Sequence, residues 1–334
     1  MNGNITREQD FLKQNTFYLL LHQSPRSNAL PNHLGIKSKK IPIDTNVYNS
    51  LSLKVIFRLI NFFKSFNKKA QIIIEYDGNF VPIFCLAFVN IFYLKRFKIY
   101  LDCHVNSYIN LNFYSIKTFV KLSLVYFFKY LFRFKTIVHN KASLKVIKNS
   151  SYCPSPFPEN KPDKNTLKNR KLDNDVLIIS SMNKDEPIQE YIKVAADLKS
   201  SGYKVLITGD KEKLKFNLDK TSSFFSGFLN KSDYFDLLRE SKIIVAMTSR
   251  KYNLLFAPRE ALLNHKVCII NESKENEEFY GNLCFYAKPD SSSIIKKIKD
   301  LLRNQASFNE TLLLELISNI NTDIENFKKC LHTK

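Results

Sequence analysis

Apolar and polar positions alternate along this chain in blocks, and the blocks change period in a regular order. TFYLLLHQ (16–23) is an apolar run of strand length, followed by the polar stretch SPRSNALPNHLG, which reads as a loop. Residues 51–66 carry apolar side chains at helical spacing, with Lys54, Arg58 and Lys64 between them. QIIIEYDG (71–78) reads as a buried strand, the apolar run 80–94 as a buried helix, and FKIYLDCH (97–104) as another strand. A long helix is predicted from about Ile116 to Phe134, then a short strand TIVHN (136–140). Beyond residue 174 the pattern is clearer. Strand DVLIIS leads to helix IQEYIKVAADLKSSG, strand KVLITGD, helix SDYFDLLRES, strand KIIVAMTS, helix APREALLNH and strand KVCIINES. A turn, FYAKPD, the helix SSSIIKKIKDLL and one more amphipathic helix after Phe308 complete the chain.

Strands and helices in this alternation build parallel sheets with crossover helices. Pro154, Pro156, Pro158 and the charged stretch KPDKNTLKNRKLDND interrupt it without any period and read as a linker. The expected organisation is therefore α/β. One Rossmann-like domain spans 1–155, a linker 156–173 and a second Rossmann-like domain 174–307. A helix over 308–334 is placed to pack back on the first domain. A length of 334 residues suits two such domains. They are expected to face a cleft lined by strand C-termini, where open α/β sheets take their ligands.

Charge divides the same way. The formal net charge is +20, and residues 1–170 hold 26 Lys and Arg against 8 Asp and Glu, the remainder 25 against 23. A basic half suits nucleic acid, an anionic membrane surface or an anionic substrate. An AT-rich genome, which favours Lys, Asn, Ile and Phe, gives the same excess. The basic residues are scattered and match no RRM, KH or helix-turn-helix pattern, so no nucleic acid is expected as a partner. The six cysteines form no CxxC pair and several lie in apolar runs, which suits free thiols in a reducing compartment. The polar start MNGNITREQDFLKQ is no signal peptide, and the run 80–94 is shorter than a membrane span and holds Pro82 and Asn90. Residues 117–135 set Phe119, Val120, Leu124, Phe127, Leu131 and Phe134 on one side and Lys121, Lys129 and Arg133 on the other. That is either a membrane-interface helix or a packing helix with a solvated basic rim. A cytoplasmic protein, peripheral at the inner face of a membrane, is expected.

Several stretches carry a resemblance in order: SSMNKDEPIQEYIKVAADL, VLITGD, FSGFLNKSDYFDLLRESKIIVAMTSR, APREALLNHKVCIINES and FYAKPD, preceded in the first half by HQSPRSNALPNHL, YLDCHVNSY and TIVHNKASLKVI. Together they resemble GT-B glycosyltransferases, of the group-1 (GT4-like) kind and the β-mannosyltransferase-like enzymes of lipid-linked glycans. The resemblance implies transfer of a sugar from a nucleotide-sugar donor to a hydroxyl of a lipid-linked or surface-polysaccharide acceptor. Partners would be the nucleotide sugar, the glycan or lipid-linked acceptor and an anionic membrane surface. A catalytically inactive GT-B-like partner subunit, or a basic nucleic-acid-binding protein, stands beside that reading. Group-1 enzymes often carry two glutamates separated by seven residues. Glu260 stands at the second position and Tyr252 at the first, and the usual Gly-rich start of the first domain is missing.

Candidate site residues follow from strand ends. Glu260, opening a helix after Pro258 and Arg259, either accepts two ribose hydroxyls or stabilises the helix dipole. Backbone N–H groups of 257–259 suit a diphosphate. Arg250, after a strand ending in Thr248, is either a phosphate partner or a solvated loop residue. Lys184, Asp185 and Glu186 end another strand. Asp185 is expected as the N-cap of the next helix, with Lys184 meeting phosphate and an acid holding a sugar hydroxyl. Lys184, Asp185, Glu186, Thr248, Arg250, Arg259 and Glu260 form the expected donor site. In the first half, Asp102 and His104 are the catalytic candidates, His104 holding the donor sugar or acting on the acceptor hydroxyl. Ser24, Arg26 and Asp77 are expected on the acceptor side, Asp77 as a weaker base. No HxH or HExxH pattern occurs, so neither a metal nor a cofactor is expected.

Overall fold

The structure is a computed structural model describing residues 16–20, 25–41, 53–76, 80–104, 116–158, 174–210 and 222–332. The chain forms two compact units, one of Met1–Pro156 with Asn319–Lys334 and one of Phe157–Ser318. Each holds its own parallel sheet, as in the two Rossmann-like units of a GT-B fold.

The first unit has six parallel strands in the order β2-β1-β3-β4-β5-β6. They are β1 (Thr16–Leu20), β2 (Lys37–Lys40), β3 (Gln71–Tyr76), β4 (Lys98–Cys103), β5 (Lys135–Val138) and β6 (Ser151–Tyr152). Helices α1 (Pro25–Leu34), α2 (Leu53–Lys64), α3 (Val81–Phe92) and α4 (Ile116–Leu131) connect them. Side chains alternate between the sheet's two faces, and the contacts show which helices take which face. On one face Phe17 meets Phe66, just past α2, with ring centroids 4.8 Å apart, and the Tyr76 hydroxyl donates to the Lys121 carbonyl of α4 at 3.1 Å. Phe84 of α3 meets Phe128 of α4. On the opposite face Gln71 Nε2 donates to the Leu331 carbonyl at 3.0 Å and Tyr100 lies against Phe327. Both partners belong to the C-terminal helix, Glu310–His332.

Two sequence expectations change here, and one strand is found that the sequence did not mark. The polar stretch read as a loop is helix α1, because Leu30 and Leu34 bury a stripe and Pro25 sits at the helix start, where a missing N–H costs nothing. KSKK, with no apolar residue to mark it, is the exposed edge strand β2. The run 80–94 is helical but buried on one side only. Ile83, Leu86 and Val89 are covered, while Phe84, Ile91 and Phe92 are exposed.

The second unit has five parallel strands in the order β11-β10-β9-β7-β8. They are β7 (Asn174–Ile178), β8 (Val205–Ile207), β9 (Ser241–Ala246), β10 (Val267–Asn271) and β11 (Phe285–Ala287). The helices are α5 (Ile188–Ser200), α6 (Lys231–Glu240), α7 (Ala257–Leu263), α8 (Lys274–Tyr280) and α9 (Ser291–Arg303), and the C-terminal helix is α10. Val176, Ile178, Val245 and Ile269 pack with Tyr191, Val194, Leu198, Ile294 and Ile298 in one core. Strands covered on both faces read as unbroken apolar runs, which is why this half was legible. FYAKPD, expected as a turn, supplies edge strand β11. All six cysteines are free thiols, with only Cys330 exposed. Among the described residues no helix is long and apolar enough to cross a membrane.

Candidate functional site

In the second unit the chain passes from β7 to β8 on one side and then to β9 on the other. Strand order reverses between β7 and β9, and α/β sheets bind ligands outside the strand ends at such a reversal. The two loops that meet there carry most of the expected donor residues. The Asp185 carboxylate accepts the Thr248 hydroxyl at 2.6 Å through Oδ2 and pairs with Arg250 at 3.0 Å through Oδ1. The Asp185 carbonyl accepts the Ser249 N–H at 2.7 Å and the Ser249 hydroxyl at 2.9 Å. The Thr248 N–H donates to Asn271 Oδ1, at the end of β10, at 3.3 Å.

Asp185 is therefore not the expected N-cap. Helix α5 starts at Ile188 behind Pro187, without a side-chain cap. Asp185 spans loops instead, and Glu186 closes its own. The Glu186 carboxylate accepts the Ser180 hydroxyl, the Ser181 hydroxyl at 2.5 Å and the Ser181 N–H at 3.0 Å. Lys184 is exposed beside them, and the Arg250 side chain is 41% exposed. Gly209, after β8, allows the tight approach of this loop. A Cβ there would meet the Ser180 carbonyl at 2.8 Å and Met182 at 2.9 Å, with φ at +109°. Tyr191 braces β9 from below, its hydroxyl accepting the Met247 N–H at 2.9 Å.

Glu260 belongs to a separate pair. Tyr234 of α6 donates to its Oε2 at 2.7 Å. Burial raises the Glu260 carboxyl above the ordinary range, against the opposing pull of Tyr234 and Lys231. Burial, then the Glu260 charge, pushes the Tyr234 phenol up. Arg259, expected in the donor site, turns inward. It is 1% exposed, with its guanidinium 5.8, 5.1 and 4.8 Å from the rings of Phe157, Phe256 and Phe279. Cation–π contact holds it there, so its side chain cannot meet a ligand. Pro258 has no N–H and the Arg259 N–H donates to the Phe256 carbonyl at 2.9 Å. The expected diphosphate cradle over 257–259 is thereby cut to the Ala257 N–H at most. Tyr252 occupies left-handed backbone at φ 58°.

In the first unit strand order reverses between β1 and β3. Ser24 and Asp77, which follow those strands in sequence, lie outside the described residues, as does the side chain of Arg26 in α1. Asp102 and His104 end β4 on one face with Glu75 of β3, which pairs in register with Asp102. Asp102 is fully buried and accepts the Tyr18 hydroxyl at 2.5 Å. It is built into the sheet rather than presented at its rim, unlike the expected catalytic role. His104 is more accessible, its Nε2 lying 3.8 Å from Glu75 Oε1 and its ring 5.4 Å from that of His139.

Glu75, His139, Tyr18, Tyr234 and the Ser180–Ser181 pair did not emerge from sequence. Glu75 alone left a mark, as a single acid inside the apolar run IIIEY. Among the described residues no three His, Cys, Asp or Glu side chains gather as a metal-binding group.

No protein-family model and no curated protein sequence matches the chain. Solved structures do. Sucrose-phosphate synthase from Thermosynechococcus elongatus aligns over 95% of this chain and 96% of its own, at 11% identity and a TM-score of 0.61. Trehalose-6-phosphate synthase aligns over 95% and 98%, at 8% identity and 0.66. Anabaena HepE, solved with UDP, aligns over 95% of each chain at 11% identity and 0.60. At such identities the likeness is one of fold, and that fold is GT-B.

Proposed function

We propose that this protein is a glycosyltransferase. It moves a sugar from a nucleotide-sugar donor to a hydroxyl of a lipid-linked or surface-polysaccharide acceptor, at the inner face of a membrane and without metal or cofactor. The observation that carries this reading is the Asp185–Thr248–Arg250 group at the reversal of strand order in the second unit. It combines a half-exposed guanidinium, a hydroxyl and a carboxylate where a nucleotide fits. Arg250 and Lys184 offset the charge growing on the departing diphosphate, with Asp185 fixing Arg250 before the donor arrives. Glu260 has one oxygen on Tyr234 and a second for a ribose hydroxyl. His104 takes the proton of the acceptor hydroxyl, oriented by Glu75. The neighbour HepE, solved with UDP and with UDP and glucose, supports a UDP-type donor.

The test incubates the protein with UDP-, GDP-, ADP- and CMP-linked sugars plus a membrane lipid extract, in EDTA, and measures release of the free nucleotide. Release with one donor class, dependent on the extract, is expected. No release with any donor overturns the reading, and a strict demand for Mg²⁺ or Mn²⁺ overturns its metal-free part.

A further inference from the structure

Helices α2, α3 and α4 cover the same face of the first sheet, and the outward stripes of α3 and α4 are the reverse of what a solvated helix shows. A surface helix normally turns charged residues outward. Here the outward positions include Phe57, Phe84, Phe92 and Phe119, and Phe92 and Phe119 are 67% and 71% exposed. Leu94, just past α3, is 79% exposed. Apart from Asn90, α3 is apolar all round, and the Asn90 side chain is spent accepting the Phe97 N–H at 2.9 Å. Twelve residues are too few to cross a bilayer, so α3 is an apolar helix with one open side.

The charge around this face has a single sign. Between residues 45 and 158 the sequence holds 16 Lys and Arg and only three acids, Glu75, Asp77 and Asp102. Glu75 and Asp102 are fully buried, and none of the three helices carries an acid. Lys54, Arg58, Arg96 and Arg133 are exposed around the apolar stripes. Lys129 is not part of this rim, because its ammonium donates to the carbonyls of Lys148 and Asn149 and to Thr136 Oγ1. Phe134, expected on the open side, is buried.

We infer that the first unit docks on an anionic lipid surface through the outer face of α2, α3 and α4. The phenyl and leucyl side chains enter the headgroup–acyl boundary while the Lys and Arg rim meets lipid phosphates. Charge favours lipid over a second copy of the chain, since two such faces would bring like charges together. Docking supplies the membrane partner of the proposed transferase and deepens that reading, and vesicle binding tests it without any turnover.

The experiment is co-sedimentation of the full chain with phosphatidylcholine vesicles, with and without phosphatidylglycerol, at low and high salt. The variant Phe92→Ser/Leu94→Asn/Phe119→Ser/Leu131→Ser removes exposed apolar groups, and Asn suits the positive φ of 48° at Leu94. Binding that requires phosphatidylglycerol and weakens with salt is expected. The variant should bind roughly tenfold or more weakly, with unchanged melting temperature and nucleotide binding. No binding to phosphatidylglycerol vesicles at low salt, or equal binding by the variant, overturns the inference. So does a concentration-dependent dimer that the variant abolishes, without vesicle binding, which assigns the face to a second copy. If nucleotides still bind in those cases, the transferase reading survives the loss of its membrane.

Discussion

Thr248 donates its hydroxyl hydrogen to Asp185 Oδ2 at 2.6 Å, tying the loop after β9 to the loop after β7 across the reversal of strand order. The same carboxylate holds Arg250 at 3.0 Å. Asp185→Asn keeps the volume but weakens both contacts. A lost charge-assisted hydrogen bond costs about 1.5–3 kcal/mol. Nucleotide affinity should fall with it, because Arg250 is no longer fixed before binding. Calorimetric titration of the variant, beside its melting temperature, separates the two effects. A destabilised variant that binds nucleotide with wild-type affinity would show that Asp185 only secures the loop.

Burial raises the Glu260 carboxyl above its ordinary range. The folded form therefore binds more protons than the unfolded one between the ordinary and the raised value, and stability falls as pH rises through that window. Glu260→Gln keeps an acceptor for the Tyr234 hydroxyl and removes the buried charge. Its melting temperature should match or exceed wild type at neutral pH, and the wild-type decline across the window should flatten. Nucleotide binding should weaken by roughly 1–3 kcal/mol if the carboxylate holds ribose hydroxyls. Unchanged affinity removes Glu260 from the donor site.

His104 and Glu75 face one another at 3.8 Å, whereas Asp102 is sealed behind Tyr18. His104→Gln should cut turnover by about 10²–10⁴ with nucleotide affinity retained, and Glu75→Gln, which removes the orienting carboxylate, should cut kcat by a smaller but measurable factor. Tyr18→Phe serves as a control. It removes the Tyr18 hydrogen bond from the buried Asp102 carboxylate and should cost about 1–3 kcal/mol of stability while the folded enzyme turns over normally. Equal kcat in His104→Gln and wild type contradicts the base role.

Gly209→Ala places a methyl group 2.8 Å from the Ser180 carbonyl at a φ of +109°. Strain of this kind costs on the order of 1–3 kcal/mol. The melting temperature should drop and nucleotide affinity should fall with it, since Ser180 anchors the Glu186 side of the loop. An unaffected melting temperature would mean that the β7 and β8 loops are not as tightly joined as their contacts imply.

What the sequence disclosed, and what it hid, follows from which residues carry a periodic signal. DVLIIS and KIIVAMTS were legible because strands buried on both faces are unbroken apolar runs. KSKK was hidden because an exposed edge strand looks like a loop. Asp185, Thr248 and Arg250 could each be picked out as strand-end residues, yet their mutual contact depends on β7 and β9 being neighbours, which no local pattern encodes. Arg259 misled because a positive charge beside a helix start suggests phosphate. Its enclosure involves Phe157 and Phe279, which lie far from it in the chain, as well as the neighbouring Phe256.

The most direct measurement is calorimetric titration of the wild-type chain and of Arg250→Gln with UDP, GDP, ADP and CMP and their sugar conjugates. Arg250 is half exposed, so the variant should fold as wild type does. The account predicts saturable binding of one nucleotide class to the wild type, and a thermal stabilisation of about 2.7 kcal/mol at one hundred times its Kd. It predicts binding weaker by about 1.5–3 kcal/mol in Arg250→Gln, the worth of a charged hydrogen bond to phosphate. A wild type that binds none of these nucleotides, or a variant that binds them equally well, would contradict it.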